Sequence, residues 1–368
     1  MRDAVIVAAT RSPIGRGGRG SLSGVRLADL LTGVVRAALD QVPELGLAGI
    51  DDLYVGSAFG RPDTALQVAG RLGLHAGPTA LVSGLRTSSM QTMRMAVHAI
   101  RAGEGDAYIS AGADSATQAT RTARSRPARH RRLRSAIVRP SDRREALRQA
   151  AQQTGVGRRI SRYEQDEFGV RSHLLAEHAV KNGFYGREIM PVQAPGGAVV
   201  TLDDSPISGA GYETMRTRPS EVWLHDGAAA TIIVSDVYAR ELGLRPLARV
   251  IGTAVSGTPA ASQGAAVVEA ARRALFHAGL CVADVDLWEI DEASAADTVA
   301  AYRTLDVEVD RVNVHGGALA LGRPDGMAGA RLITTLLNGL HSTDRQVGLA
   351  AVSAPNRQAM ALVVERLS

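Results

Sequence analysis

With 368 residues, the chain is long enough for two domains of ordinary size, each with its own core. Its 45% hydrophobic and 21% charged content is that of a soluble globular protein, and no apolar run is long enough to span a bilayer. A single cysteine, Cys281, excludes an internal disulfide framework and any multi-cysteine metal site.

The formal net charge is +5, and Lys181 is the only lysine among 42 basic residues. An arginine bias of this kind reads as coding bias. No aromatic–basic interleaving or nucleic-acid module accompanies it, so nucleic acid is not an expected partner. Met1–Ala9 lacks the apolar core of a signal peptide and reads as a first strand, which makes the cytoplasm the expected location.

Residues 1–115 alternate strand and helix signals. Val5–Ala9 is apolar and β-branched, 26–41 has helical periodicity, and 53–55 is a short strand. A helix is predicted over 64–74, a strand over 80–82, a long helix over 87–102 and a strand over 108–113. Residues 116–160 change character, with eleven arginines between Arg121 and Arg148, and read as a solvated loop or an anion-facing flap. A helix resumes over 161–185 and closes at Asn182-Gly183.

His225-Asp226-Gly227, with Asp226-Gly227 read as a turn, precedes a strand at 230–234. The earlier pattern then recurs: strand 248–255, helix 262–278, strand 285–290 and helix 293–304. The Gly-rich stretch 313–322, helix 327–339 and strands 347–352 and 359–365 complete the chain. The pattern is two similar α/β halves with an irregular insertion in the first.

The stretch Leu81–Gln91 joins a short strand to an amphipathic helix. Such an elbow displays one side chain over helix N-terminal amides, where an anionic nucleophile is favoured. The displayed residue here is Arg86, which stays protonated and cannot act as a nucleophile.

Several stretches together resemble the thiolase family of acyl-CoA acetyltransferases. They are Val5–Gly15, Ala99–Asp106, Tyr163–Phe168 with Arg171-Ser172-His173, His225–Ala230, and Val312–Gly322. They occur in family order and cover nearly the whole chain. The resemblance implies an α/β thiolase fold, with two similar βαβ-type halves forming a five-layered αβαβα core plus a loop-domain insertion. It places the first half at 1–115 with 231–250, the loop domain at 116–230 and the second half at 251–368. A homodimer or homotetramer is implied, with an acyl-carrier protein or another biosynthetic subunit as a further candidate partner. CoA, or a phosphopantetheine thioester, is the implied ligand, and no cofactor is required.

In that family a cysteine at the elbow attacks the thioester, and a histidine and a second cysteine shuttle protons beside an asparagine. The resemblance places Arg86 at the nucleophile, Arg323 at the histidine, Ser353 at the second cysteine and Asp291 at the asparagine. All four differ from the family's residues while their frames are kept, so ordinary thiolysis or Claisen condensation is not expected. In this alignment Cys281 lies in a helix-to-strand connection and does not replace the nucleophile. His315, in the Gly-rich loop, and His225 are the histidines best placed for acid–base work. Part of the family's CoA contact falls near Gly252. Gly252 and Ser256 are the candidate residues there, although Gly252 carries no hydroxyl.

Convergence of Arg86, Asp291, Arg323 and Ser353 would leave two readings. An unpaired buried arginine costs several kcal/mol, so Asp291 or Glu292 is the expected partner. Closed ion pairs would favour a catalytically inactive binding or scaffolding subunit. An open, arginine-lined cavity would favour acyl-thioester chemistry without cysteine.

Overall fold

The computed structural model describes residues 2–74, 78–125, 159–217, 225–257, 263–355 and 358–368. Most of the arginine-rich stretch, and the proposed flap with it, lies outside these residues. The strands are β1 (Ala4–Arg11), β2 (Gly15–Arg16), β3 (Asp52–Gly56), β4 (Thr79–Val82), β5 (Ala107–Ser115) and β6 (Val192–Gln193). They continue with β7 (Val199–Val200), β8 (His225–Ser235), β9 (Ala248–Gly257), β10 (Leu287–Ile290), β11 (Val347–Ser353) and β12 (Gln358–Arg366). The longer helices are α1 (Leu27–Leu39), α2 (Thr64–Leu72), α3 (Ser88–Ala102), α4 (Ala116–Ser125) and α5 (Arg162–Lys181). They are followed by α6 (Gln263–Ala278), α7 (Ala295–Leu305) and α8 (Ala328–Ser342).

One mixed sheet runs β10-β11-β12-β9-β1-β8-β5-β3-β4, with β2 on β8. Its two halves meet where β1 pairs with β9 through only Val5 and Ile6. Side-chain alternation along the strands sorts the core into layers. Leu53, Val55, Ile109, Ile232 and Val234 turn outward onto α1 and α2. Ile6, Tyr54, Tyr108, Ile233, Ala350, Leu362 and Val364 turn inward onto α3 and α8. Trp288, Ile290, Leu349, Ala361 and Val363 face outward again, onto α6 and α7. The succession α–β–α–β–α is the expected five-layered core, with α3 and α8 sandwiched in its middle. Those two helices carry the mixed small and large apolar faces that a doubly covered layer needs, among them Met90, Met93, Val97, Leu332, Ile333 and Leu336.

Two local readings change. Asp226-Gly227 is not a turn: β8 begins at His225, with Asp226 opposite Ser115 and Gly227 opposite Asp114. The Asp226 carboxylate accepts from Ser115 Oγ at 3.0 Å, from Thr117 N at 2.9 Å and from the Thr117 hydroxyl, so the residue anchors the exit from β5. The stretch read as loop from residue 116 starts with α4. Its Ala-Thr-Gln-Ala-Thr repeat has few large apolar residues to signal a helix.

α5 begins with a reciprocal capping box between Ser161 and Glu164, and it ends where Gly183 takes φ 68°. The next turn carries Glu188, which closes a fully buried charge network with Arg11. The Arg11 Nε reaches Glu188 at 2.6 Å, and its two terminal nitrogens grip Asp203 at 2.8 and 3.0 Å. Paired with two carboxylates, Arg11 has its pKa raised above the ordinary arginine value despite burial, which acts to lower it.

Candidate functional site

The site lies where the middle helical layer meets the C-terminal ends of β4, β10 and β11. β4 enters a 3-10 turn at Leu85–Thr87, which passes directly into α3. Leu85 takes the left-handed conformation at φ 55°, uncommon for a residue with a bulky side chain. Thr87 holds the turn by donating from its hydroxyl to the Gly84 carbonyl at 2.7 Å, and Ser88 Oγ accepts from Gly84 N at 3.0 Å. The turn projects Arg86 into the core with no exposed surface.

Asp291 follows β10, its backbone N–H bonded to the Ala351 carbonyl at 2.8 Å. Its carboxylate lies between two guanidiniums: Arg86 Nη1 at 3.3 Å on one oxygen and Arg323 Nη1 at 3.3 Å on the other. Arg323 Nη1 also donates to the Glu292 carbonyl at 3.2 Å, while its Nε faces Asp325 at 3.8 Å. Arg323 and Asp291 are 5% and 2% exposed, so all three members of the cluster are desolvated. Ser353, the last residue of β11, is also buried, and its strand packs against the Leu85–Thr87 turn. The four sequence-selected positions therefore share one region, and Asp291 is the ion-pair partner of both arginines.

The Glu292 carboxylate points elsewhere. It accepts from Asn313 Nδ2 at 2.9 Å, Leu319 N at 2.8 Å and Ser172 Oγ at 2.9 Å, tying α5 to the Gly-rich loop. Gly317 presses so closely on this carboxylate that a β-carbon would clash with it. Burial pushes the Glu292 pKa up against those hydrogen bonds. Asp114, at the end of β5, accepts from Ser57 Oγ at 2.6 Å, Phe59 N at 2.9 Å and Gly326 N at 2.5 Å. It thereby ties the loop after β3 to the turn after Arg323. Burial raises its pKa to about 6 against the Ser57 hydrogen bond, and the charge of Asp325 adds to the rise.

His315 is placed away from the ion cluster. Its ring stacks on Phe184 at a centroid distance of 3.6 Å, and its carbonyl accepts from the Tyr185 hydroxyl. Burial lowers its pKa to about 4, so it is neutral at pH 7. His225 lies against Arg323 instead: its Nδ1 accepts from the Arg323 backbone N–H at 3.3 Å, and its Nε2 is 2.9 Å from Ser205 Oγ. Gly252 lies directly under Ala274 of α6, and the buried Ser256 hydroxyl donates to the Ala266 carbonyl at 2.7 Å. Both residues take part in packing β9 against α6. Cys281 is exposed in the connection that enters β10, whereas Asp291 leaves β10 at its other end.

Known proteins resemble the chain along its full length. The family description "Thiolase, N-terminal domain" matches residues 4–236, and "Thiolase, C-terminal domain" matches residues 244–366. The chain belongs to the thiolase family. The 3-ketoacyl-CoA thiolase of Chromohalobacter salexigens is 33% identical over 397 residues, covering 100% of this chain and 98% of that protein. That of Aeromonas hydrophila is 32% identical, covering all of both chains. Among solved structures, the Bacillus anthracis acetyl-CoA acetyltransferase superposes with a TM-score of 0.89 at 27% identity, covering 100% and 99% of the two chains. Human mitochondrial 3-ketoacyl-CoA thiolase in complex with CoA does so with a TM-score of 0.88 at 25% identity, covering 100% and 98%.

Asp114 and Ser205 escaped the sequence reading. A lone carboxylate ending an apolar strand was the available signal for Asp114, and none marked Ser205 within its polar stretch.

Proposed function

We propose that this thiolase-family protein binds an acyl thioester, on CoA or on a carrier protein, as a non-thiolytic subunit, without cysteine-based thiolysis or condensation. The observation that carries this reading is the buried Arg86–Asp291–Arg323 cluster, which fills the region where the family resemblance locates the reaction centre. Arg86 stands for the attacking cysteine and has no nucleophilic form at physiological pH. The one cysteine is exposed at the opposite end of β10. CoA in the human relative's structure and the names of the curated relatives support the ligand class. Association as a homodimer or homotetramer, or with a carrier protein or an active thiolase, belongs to the same proposal.

The test combines acetoacetyl-CoA thiolysis with calorimetric binding of CoA and acetoacetyl-CoA. Saturable binding without turnover is the expected result, in wild type and in Arg86→Cys. Wild-type turnover at the rate of an ordinary thiolase would refute it.

A second reading is arginine-assisted acyl chemistry without a covalent intermediate. It is favoured by the 3.3–3.5 Å contacts from Arg323 to Asp291, longer than the 2.7–2.9 Å typical of charge-assisted pairs. Decarboxylation or hydrolysis of a 3-oxoacyl thioester, abolished by Arg323→Met, would select it.

A further inference from the structure

The Ser205–His225 pair has the outline of a nucleophile and its base, but its hydrogen bonding points in the opposite direction. The Arg323 backbone N–H is a fixed donor, and it is directed at His225 Nδ1. A neutral imidazole accepting at Nδ1 carries its proton on Nε2. Nε2–H therefore donates to Ser205 Oγ across 2.9 Å. A serine that accepts from the imidazole is not deprotonated by it. Its own hydroxyl proton is left without an acceptor among the described residues.

The pair is rigidly built. His225 is 3% exposed, and Gly322, at φ 94°, lies so close to the ring that any side chain there would collide with it. The segment leading to Ser205 is fixed on both preceding residues. Asp203 binds Arg11 and the Ile14 N–H, and Asp204 accepts from Arg16 N and Ser21 N at 2.8 and 2.9 Å. Ser205 itself is half-buried, so it is only partly removed from solvent.

We propose that Ser205 and His225 form a hydrogen-bond relay whose outer hydroxyl binds a carbonyl oxygen of the acyl group. The relay abuts the ion cluster, because the same Arg323 that orients His225 by its backbone reaches Asp291 with its side chain. A polarised Nε2–H···Oγ–H chain is a stronger donor than an isolated serine. Its target is the neutral acyl carbonyl, in keeping with a neighbouring cluster already compensated by carboxylates. The proposal rests on acyl-thioester binding as the function.

Calorimetry with acetoacetyl-CoA and with CoA, which lacks acyl carbonyls, tests it on wild type, Ser205→Ala and Ser205→Thr. Loss of one hydrogen bond in Ser205→Ala weakens acetoacetyl-CoA binding about tenfold and leaves CoA binding unchanged; Ser205→Thr restores it. The nitrogen-15 spectrum of histidine-labelled protein, assigned with His225→Asn, shows His225 protonated at Nε2. Wild type that binds neither compound refutes the functional reading and the relay together. Equal weakening of both ligands, no weakening, or an Nδ1-protonated His225 overturns the relay alone.

Discussion

Two buried arginine clusters in this protein are built differently. Around Arg11, one guanidinium meets two carboxylates, with N–O distances of 2.6–3.0 Å and a two-pronged grip on Asp203. Thr335 and Asn338 of α8 add donors to Glu188, and the guanidinium lies 5.1 Å from the Tyr185 ring centroid. Around Asp291, two guanidiniums share one carboxylate, each at 3.3 Å, and Arg323 Nη1 also lies 3.5 Å from the second oxygen. The Arg11 arrangement has the tight, multiply satisfied geometry of a structural brace joining β1, the turn after α5 and α8. The Asp291 arrangement has longer contacts, and on the proposed reading it is a filler of the reaction centre.

Breaking each cluster sharpens the contrast. Arg11→Ala leaves Glu188 and Asp203 buried without their cation and is expected to destabilise the protein by about 4 kcal/mol, read from urea unfolding. Asp291→Ala removes the carboxylate that both arginines share, but Arg323 keeps the Glu292 carbonyl and Asp325, and the expected loss is about 3 kcal/mol. A larger loss for Asp291→Ala than for Arg11→Ala would reverse the assignment of brace and filler.

Acidity gives the next effect. The Asp114 pKa is raised to about 6 from 3.8, so between those values the folded state holds a proton that the unfolded state has released. Its contribution is fully present below pH 4 and is lost as the pH rises through 6. Stability in that window therefore falls by about 2 kcal/mol on this account, and Asp114→Asn flattens the slope in unfolding measured from pH 4 to 7. Cys281→Ser is the smallest change. It should shift stability by less than about 0.5 kcal/mol while abolishing labelling by a thiol reagent, because Cys281 is exposed and remote from both clusters.

The layered fold was legible because its strands are short, apolar and β-branched and its middle helices carry continuous apolar faces. The convergence of Arg86, Asp291 and Arg323 was legible only through family motifs, since 205 residues separate Arg86 from Asp291. The Arg11 brace was not legible: Glu188 and Asp203 stand 177 and 192 residues away in unremarkable polar stretches. His315 was picked for its place in the Gly-rich loop, whereas its stacking on Phe184 depends on how α5 returns to the core. Asp226-Gly227 has turn composition, yet pairing with β5 overrides local propensity.

The pairing of Ser115 with Asp226 bears on how the molecule assembles. A stretch of more than a hundred residues departs and returns at one rung of a ladder. Closing so long a loop is entropically expensive but grows only slowly with further length, so insertions or losses within it change the closure term little. Contacts of such sequence separation form slowly, which makes the β5–β8 zipper a candidate for the late, rate-setting event in folding.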